Sequence, residues 1–163
     1  MENYLCRKKE VMLQRIQTVY LLLAAVSLCL LFFFPICFYE LGDLSYSLNI
    51  KNLLGSDGSV ETSEWGVGLM ALGPISLAMI VFMLTQFKER QKQLSLGRVI
   101  YLLLAALIVI SMAVIEYNKP EGAELTGYWL GYVAPVAALP FVFLANRAIK
   151  KDEELVKSLD RLR

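Results

Sequence analysis

The chain has 163 residues, 57% of them hydrophobic, and a mean hydropathy of +0.55. That is more apolar surface than one water-soluble core of this length can hide, which excludes a disordered chain and points to lipid as the surroundings. Sixteen Lys and Arg against fifteen Asp and Glu leave a net charge of +1, with no global basic footprint of a nucleic-acid binder, and zero histidines remove the commonest metal and haem ligand and the readiest acid or base near neutral pH.

Residues 1–18 form a polar leader with Arg7, Lys8, Lys9 and Arg15. The next 20 residues, 19–38, carry no charge and as a helix reach roughly 30 Å, the hydrocarbon thickness of a bilayer. This first span is too long for a removable signal peptide and lacks a small-residue cleavage site, so it reads as a retained signal anchor. Cys6 stands in the leader as a free thiol, and Cys29 and Cys37 suit apolar packing. No C-x-x-C spacing suggests a redox pair or a zinc cluster.

Residues 39–66 form the first outer loop, where Leu44, Tyr46, Leu48 and Ile50 alternate with polar residues before Gly55-Ser-Asp-Gly58. That pattern reads as a strand and a turn, hence a small extracytoplasmic hairpin resting on the helix ends or on another protein. The second span, 67–87, contains Pro74; a loop, 88–98, follows; the third span is 99–116. Residues 117–127 read as a simple connector around Lys119-Pro120, and the fourth span, 128–145, contains Pro135 and Pro140. Each of these prolines removes a helical hydrogen bond, so kinks are expected at all three. Ala134 and Ala138 share a small-xxx-small spacing that permits close helix approach.

The tail, 146–163, continues as a helix with Leu155, Val156, Leu159 and Leu162 in a stripe beside Lys150, Lys151, Lys157, Arg161 and Arg163. Such a stripe either rests on anionic headgroups or contacts a partner protein. Fourteen of the sixteen basic residues fall in the leader, the 88–98 loop and the tail, which places both termini in the cytoplasm by the positive-inside rule. The two outer loops hold only Lys51 and Lys119, with seven acids that include Glu40 and Glu124, and Glu116 adds an eighth at the outer end of the third span. Tyr39, Trp65, Tyr117, Tyr128, Trp129 and Tyr132 fit an interfacial aromatic belt at the outer ends of the spans.

Val19-Tyr-Leu-Leu-Leu-Ala-Ala25 is echoed by Ile100-Tyr-Leu-Leu-Leu-Ala-Ala106, and Leu69, Pro74, Val81 and Phe82 align with Leu130, Pro135, Val142 and Phe143. Two duplicated hairpins of the same orientation would give this pattern, and so would a chance likeness of Leu-rich spans. At bilayer depth the spans contain no charged residue, Glu116 standing at the outer end of the third, and their interior polar groups reduce to Ser27, Ser76, Thr85 and Ser111, hydroxyls that can bond their own helix backbone. No catalytic, cofactor-binding or metal-binding residue follows from this.

Met12-Leu-Gln-Arg-Ile-Gln-Thr-Val-Tyr-Leu-Leu22 and Leu144-Ala-Asn-Arg-Ala-Ile-Lys-Lys-Asp-Glu-Glu-Leu-Val-Lys-Ser-Leu-Asp-Arg-Leu-Arg163 resemble the two ends of a Bacteroidota family of small four-span membrane proteins catalogued as domain of unknown function 4293. The resemblance implies a bacterial inner membrane and supplies no activity or site residues. It begins at Met12, leaving Met1 to Val11 as an upstream extension or a misassigned start.

The expectation is therefore an all-α integral membrane protein with four transmembrane helices, a small extracytoplasmic loop or hairpin and a cytoplasmic C-terminal helix. Its partners are membrane lipids and other integral membrane proteins, with no nucleic acid and no cofactor. The leading functional reading is a non-catalytic accessory subunit of a larger inner-membrane complex, in secretion machinery or a respiratory assembly. The alternative is a small lipid or solute carrier built from the duplicated hairpins. An intramembrane enzyme would need a partner to supply the base that a lone serine lacks.

Overall fold

A computed structural model of the chain describes residues 2–63, 66–86 and 89–160, with side chains described for 16–63, 66–86, 89 and 91–154. Four helices, α1 (Glu2–Phe33), α2 (Gly66–Thr85), α3 (Arg90–Tyr117) and α4 (Leu130–Asp160), form the bundle. Each contains a stretch long and apolar enough to cross a membrane, namely Ile16–Phe33, Gly66–Thr85, Gln91–Tyr117 and Leu130–Glu154. The chain is a multi-pass membrane protein. Large apolar side chains face outward along these stretches, with Leu102 73% exposed and Val67 and Val109 65%, as lipid-facing positions should be.

Each helix packs on the next, and α1 also closes on α4, where the most extensive contact lies. Leu21, Ala24, Leu28 and Leu31 of α1 are buried, as are Ala134, Ala138, Val142, Ala145 and Ile149 of α4. The alanines recur on one face of α4, so a helix backbone can come close there without steric conflict. Ser27, Ser76 and Ser111 donate to the carbonyls of Leu23, Leu72 and Leu107 one turn back, and Thr85 donates to Phe82, so these hydroxyls are satisfied within their own helices.

The all-α expectation is corrected by a five-stranded antiparallel sheet. Its strands are β1 (Cys37–Leu41), β2 (Leu44–Leu48), β3 (Asn52–Gly55), β4 (Val60–Thr62) and β5 (Glu124–Tyr128), in the order β4-β3-β2-β1-β5. The first helix accordingly stops at Phe33, where the apolar run suggested Phe38. Proline has no N–H to continue the ladder, and the last helical bond is Phe34 N–H to Leu30 O, at 3.0 Å, just before Pro35. The chain turns, Ile36 N–H reaches Leu48 O at 2.6 Å, and strand pairing begins. β5 likewise replaces the simple connector, and α4 starts at Leu130 instead of Tyr128.

A two-residue turn joins β1 to β2, with Gly42 at φ +60°, an angle that the first central residue of such a hairpin needs and that only glycine adopts freely. The β3–β4 turn is held by Asp57, whose carboxylate accepts from Ser59 N–H at 2.9 Å and Ser59 Oγ–H at 2.6 Å. These two bonds, the hydroxyl's first, keep the Asp57 carboxyl below its ordinary pKa.

At the opposite, terminal end, α4 runs without a break through Asn146 to Asp160, and its buried stripe continues to Ile149 and Asp152. The first part of the tail, to Asp152, therefore packs as part of the bundle. α3 similarly begins at Arg90, inside what the sequence suggested was a loop. The prolines do not interrupt the helix assignments, for α2 passes through Pro74 and α4 through Pro135 and Pro140.

The aligned runs of the apparent duplication sit in unlike surroundings. Leu21 is buried where Leu102 is exposed, Ala24 is buried where Ala105 is exposed, and Val81 is exposed where Val142 is buried. Equivalent positions of a structural repeat would share a face, and these do not.

Candidate functional site

The sheet caps the bundle end at which α1 and α3 finish and α2 and α4 begin. Side chains alternate across a strand, so its two faces differ in composition. The inner face carries Cys37 and Tyr39 of β1, Leu48 of β2 and Leu53 of β3, all buried against the helix ends. Trp129 N–H bonds Ile36 O and Gly131 N–H bonds Pro35 O, both at 2.9 Å, fixing the start of α4 against the turn after α1. A Cβ on Gly131 would stand 2.6 Å from the carbonyl oxygens of Phe34 and Pro35, so this close approach requires glycine. Burial pushes the Cys37 thiol up to about 11, against a smaller opposing effect of the Tyr39 hydroxyl, and burial also raises the Tyr39 phenol.

The outer face is where an apolar surface remains uncovered. Registers place Val60, Leu54, Ser47, Phe38 and Gly127 in one row across all five strands. Val60 is 58% and Leu54 38% exposed at one side of this row. At the other, Trp129 meets Phe38 edge to face, with centroids 5.6 Å apart, while Tyr128, in register with inner-face Cys37, stacks on Tyr132 of α4 at 4.6 Å. Between β1 and β5 the pairing slips at Phe38/Tyr39, leaving Thr126 without a partner across the ladder. A groove of about 290 Å³ opens here, lined by Phe38, Glu40, Ser45, Thr126, Gly127, Tyr128 and Trp129 together with Tyr39. In the neighbouring row Glu40 stands directly opposite Glu124.

The residues singled out from the sequence lie elsewhere. Lys150 and Lys151 are exposed at the terminal end of α4. The side chains of Leu155, Val156 and Leu159, and residues Arg161 and Leu162 altogether, are outside the described residues. Pro74 and Pro140 are exposed and Pro135 is buried. Among the described residues no group of three His, Cys, Asp or Glu side chains could hold a metal ion. Two further contacts order the terminal end. Gln93 donates its amide to Met83 O at 3.0 Å, capping α2, and Gly97 admits Asn146 so closely that a Cβ would lie 2.1 Å from its Oδ1.

Sequence reasoning overlooked the groove because its parts were assigned to different roles. Phe38 was the last residue of a span, Trp129 and Tyr128 were belt aromatics, and Glu40 and Glu124 were loop charges. Pro35 was the available signal, since a proline three residues before Phe38 argues against helix there.

The model of a family described as Domain of unknown function (DUF4293) matches residues 13–162. A comparison with curated proteins finds no match.

Proposed function

For a chain that belongs to this DUF4293 family, we propose the role of a non-catalytic accessory subunit in a larger bacterial inner-membrane complex, with both termini cytoplasmic and the sheet on the outer side. The observation that carries this reading is the pair of apolar patches on the sheet's outer face, exposed Val60 and Leu54 on one side of Ser47 and half-buried Phe38 with exposed Trp129 on the other. Lipid accounts for the outward apolar residues of the helices, but the sheet lies beyond the helix ends, and its inner face alone is enough to cover the bundle. Apolar patches turned away from both bundle and lipid mark a protein contact. The helix interior supports the same reading. Its middle is filled mainly by Leu, Ile, Val and Ala side chains, with Ser27, Ser76 and Ser111 spent on their own helices, while the buried polar side chains Gln17, Gln93 and Asp152 lie towards the terminal end.

The basic residues near the termini and the acids near the sheet support the proposed orientation. Extraction from native membranes in a mild detergent, followed by native-size analysis, tests the role. Migration with other membrane proteins, well above the 18.4 kDa protomer, is expected, and a protein that always runs alone contradicts it.

A further inference from the structure

Resting on the reading of the outer face as a partner surface, we propose that the groove beside Phe38 and Trp129 receives a basic side chain, lysine or arginine, presented by the partner protein lying across that face. Two independent features converge on a cation. The first is the groove's walls, because Phe38 and Trp129, which meet edge to face at 77°, both line it, and aromatic surroundings attract an ammonium or guanidinium group. Gly127 lies opposite Phe38 and a Cβ there would meet nothing within 4 Å, which leaves the space between them open.

The second feature is the carboxylate pair. Glu40 and Glu124 face each other in register, at a Cα spacing of about 4.5–5.5 Å for an antiparallel pair, and like charges so placed repel. Neither carboxylate has a basic partner among the described residues, and no residue lining the groove is basic. Glu40 lines the groove and Glu124 stands beside it across the ladder, so a cation seated against Glu40 relieves the repulsion. The apolar patch of Leu54 and Val60 then meets the partner's apolar residues beside its basic one. An ethanolamine lipid also carries an ammonium group, but its phosphate lies one ethylene unit away and would face the same carboxylates.

The test uses the full chain in dodecyl maltoside with Trp65→Phe, so that Trp129 is the remaining tryptophan, titrated with n-butylammonium, n-butylguanidinium and neutral n-butanol. A saturable fluorescence change with the two cations and none with the alcohol is expected. Glu40→Gln and Glu124→Gln should each weaken it by roughly fivefold. Glu40→Lys should abolish it without lowering the unfolding temperature, because the new lysine pairs with Glu124 and occupies the groove. Absence of saturation, an equal response to butanol, or binding unchanged in both glutamine variants would overturn the proposal. So would cation binding that is blocked in phosphatidylethanolamine nanodiscs and intact in phosphatidylglycerol ones, since the lipid would then be the occupant. Saturable binding alongside a protein that always extracts alone overturns the subunit reading while the groove's cation preference stands; a native complex without cation binding overturns the groove.

Discussion

The phenol of Tyr39 donates a hydrogen bond to the main-chain carbonyl of Ile115, joining β1 of the sheet to the last turn of α3 across 76 positions of sequence. The last four carbonyls of a helix have no partner within it. Asn118 takes the neighbouring one, with its N–H and its side-chain amide both donating to Val114 O. Tyr39 takes that of Ile115, and it is fully buried in doing so. One bond therefore caps a membrane helix and fixes the height of the sheet above it.

Tyr39→Phe removes the donor and leaves a buried carbonyl unpaired, at a cost of about 1–3 kcal/mol. Thermal or SDS-induced unfolding in detergent should show a loss of that size, with the helix content of the folded state unchanged.

The same pair of inner-face residues sets a pH limit. Cys37 and Tyr39 are neutral in the fold and their ionisation is shifted upward, so the stability they confer is full below their ordinary values and is lost as pH rises through the folded ones. For Cys37 the loss falls between 9.0 and about 11. The unfolding temperature should drop across that interval, and a Cys37→Ala, Tyr39→Phe double variant should show a flatter profile from a lower starting point.

Two glycines make opposite predictions. Gly131→Ala drives a methyl into the carbonyls of Phe34 and Pro35 and should destabilise the protein by about 1–3 kcal/mol. Gly68→Ala meets only Ile110 Cγ2 at 3.5 Å, ordinary contact, and gains helix propensity. It should be neutral or stabilising by up to about 1 kcal/mol. Unfolding of the two variants in parallel decides this.

The proposed orientation rests on charge and is checked by labelling. In a chain whose three cysteines are replaced, Ser56→Cys in the β3–β4 turn should react with an impermeant maleimide in intact spheroplasts, and Gln91→Cys at the start of α3 only after lysis. The reverse pattern would invert the topology.

The spans were legible because a run of about 20 apolar residues has few structural outcomes. What escaped was how those runs end. Cys37 to Leu41 is nearly as apolar as the helix before it, so β1 was hidden in the first span. The alternation from Leu44 to Ile50 revealed β2 because every second residue there is polar. β5 is five residues long and gains its strand partner from β1, more than 80 positions earlier, a pairing that local sequence does not encode. The outer-face groove was illegible for the same reason. It exists only once β1 and β5 are paired, and before that Glu40 and Glu124 are merely two acids in different loops.

The central claim is that the outer face of the sheet is covered by another protein. A photo-crosslinking amino acid in place of Leu54, expressed at native level in its own membrane, tests this most directly, with the lipid-facing Leu102 as control. The account predicts a discrete adduct to one other membrane protein from position 54 and only lipid adducts from position 102. Lipid or self-adducts alone from position 54 would contradict it.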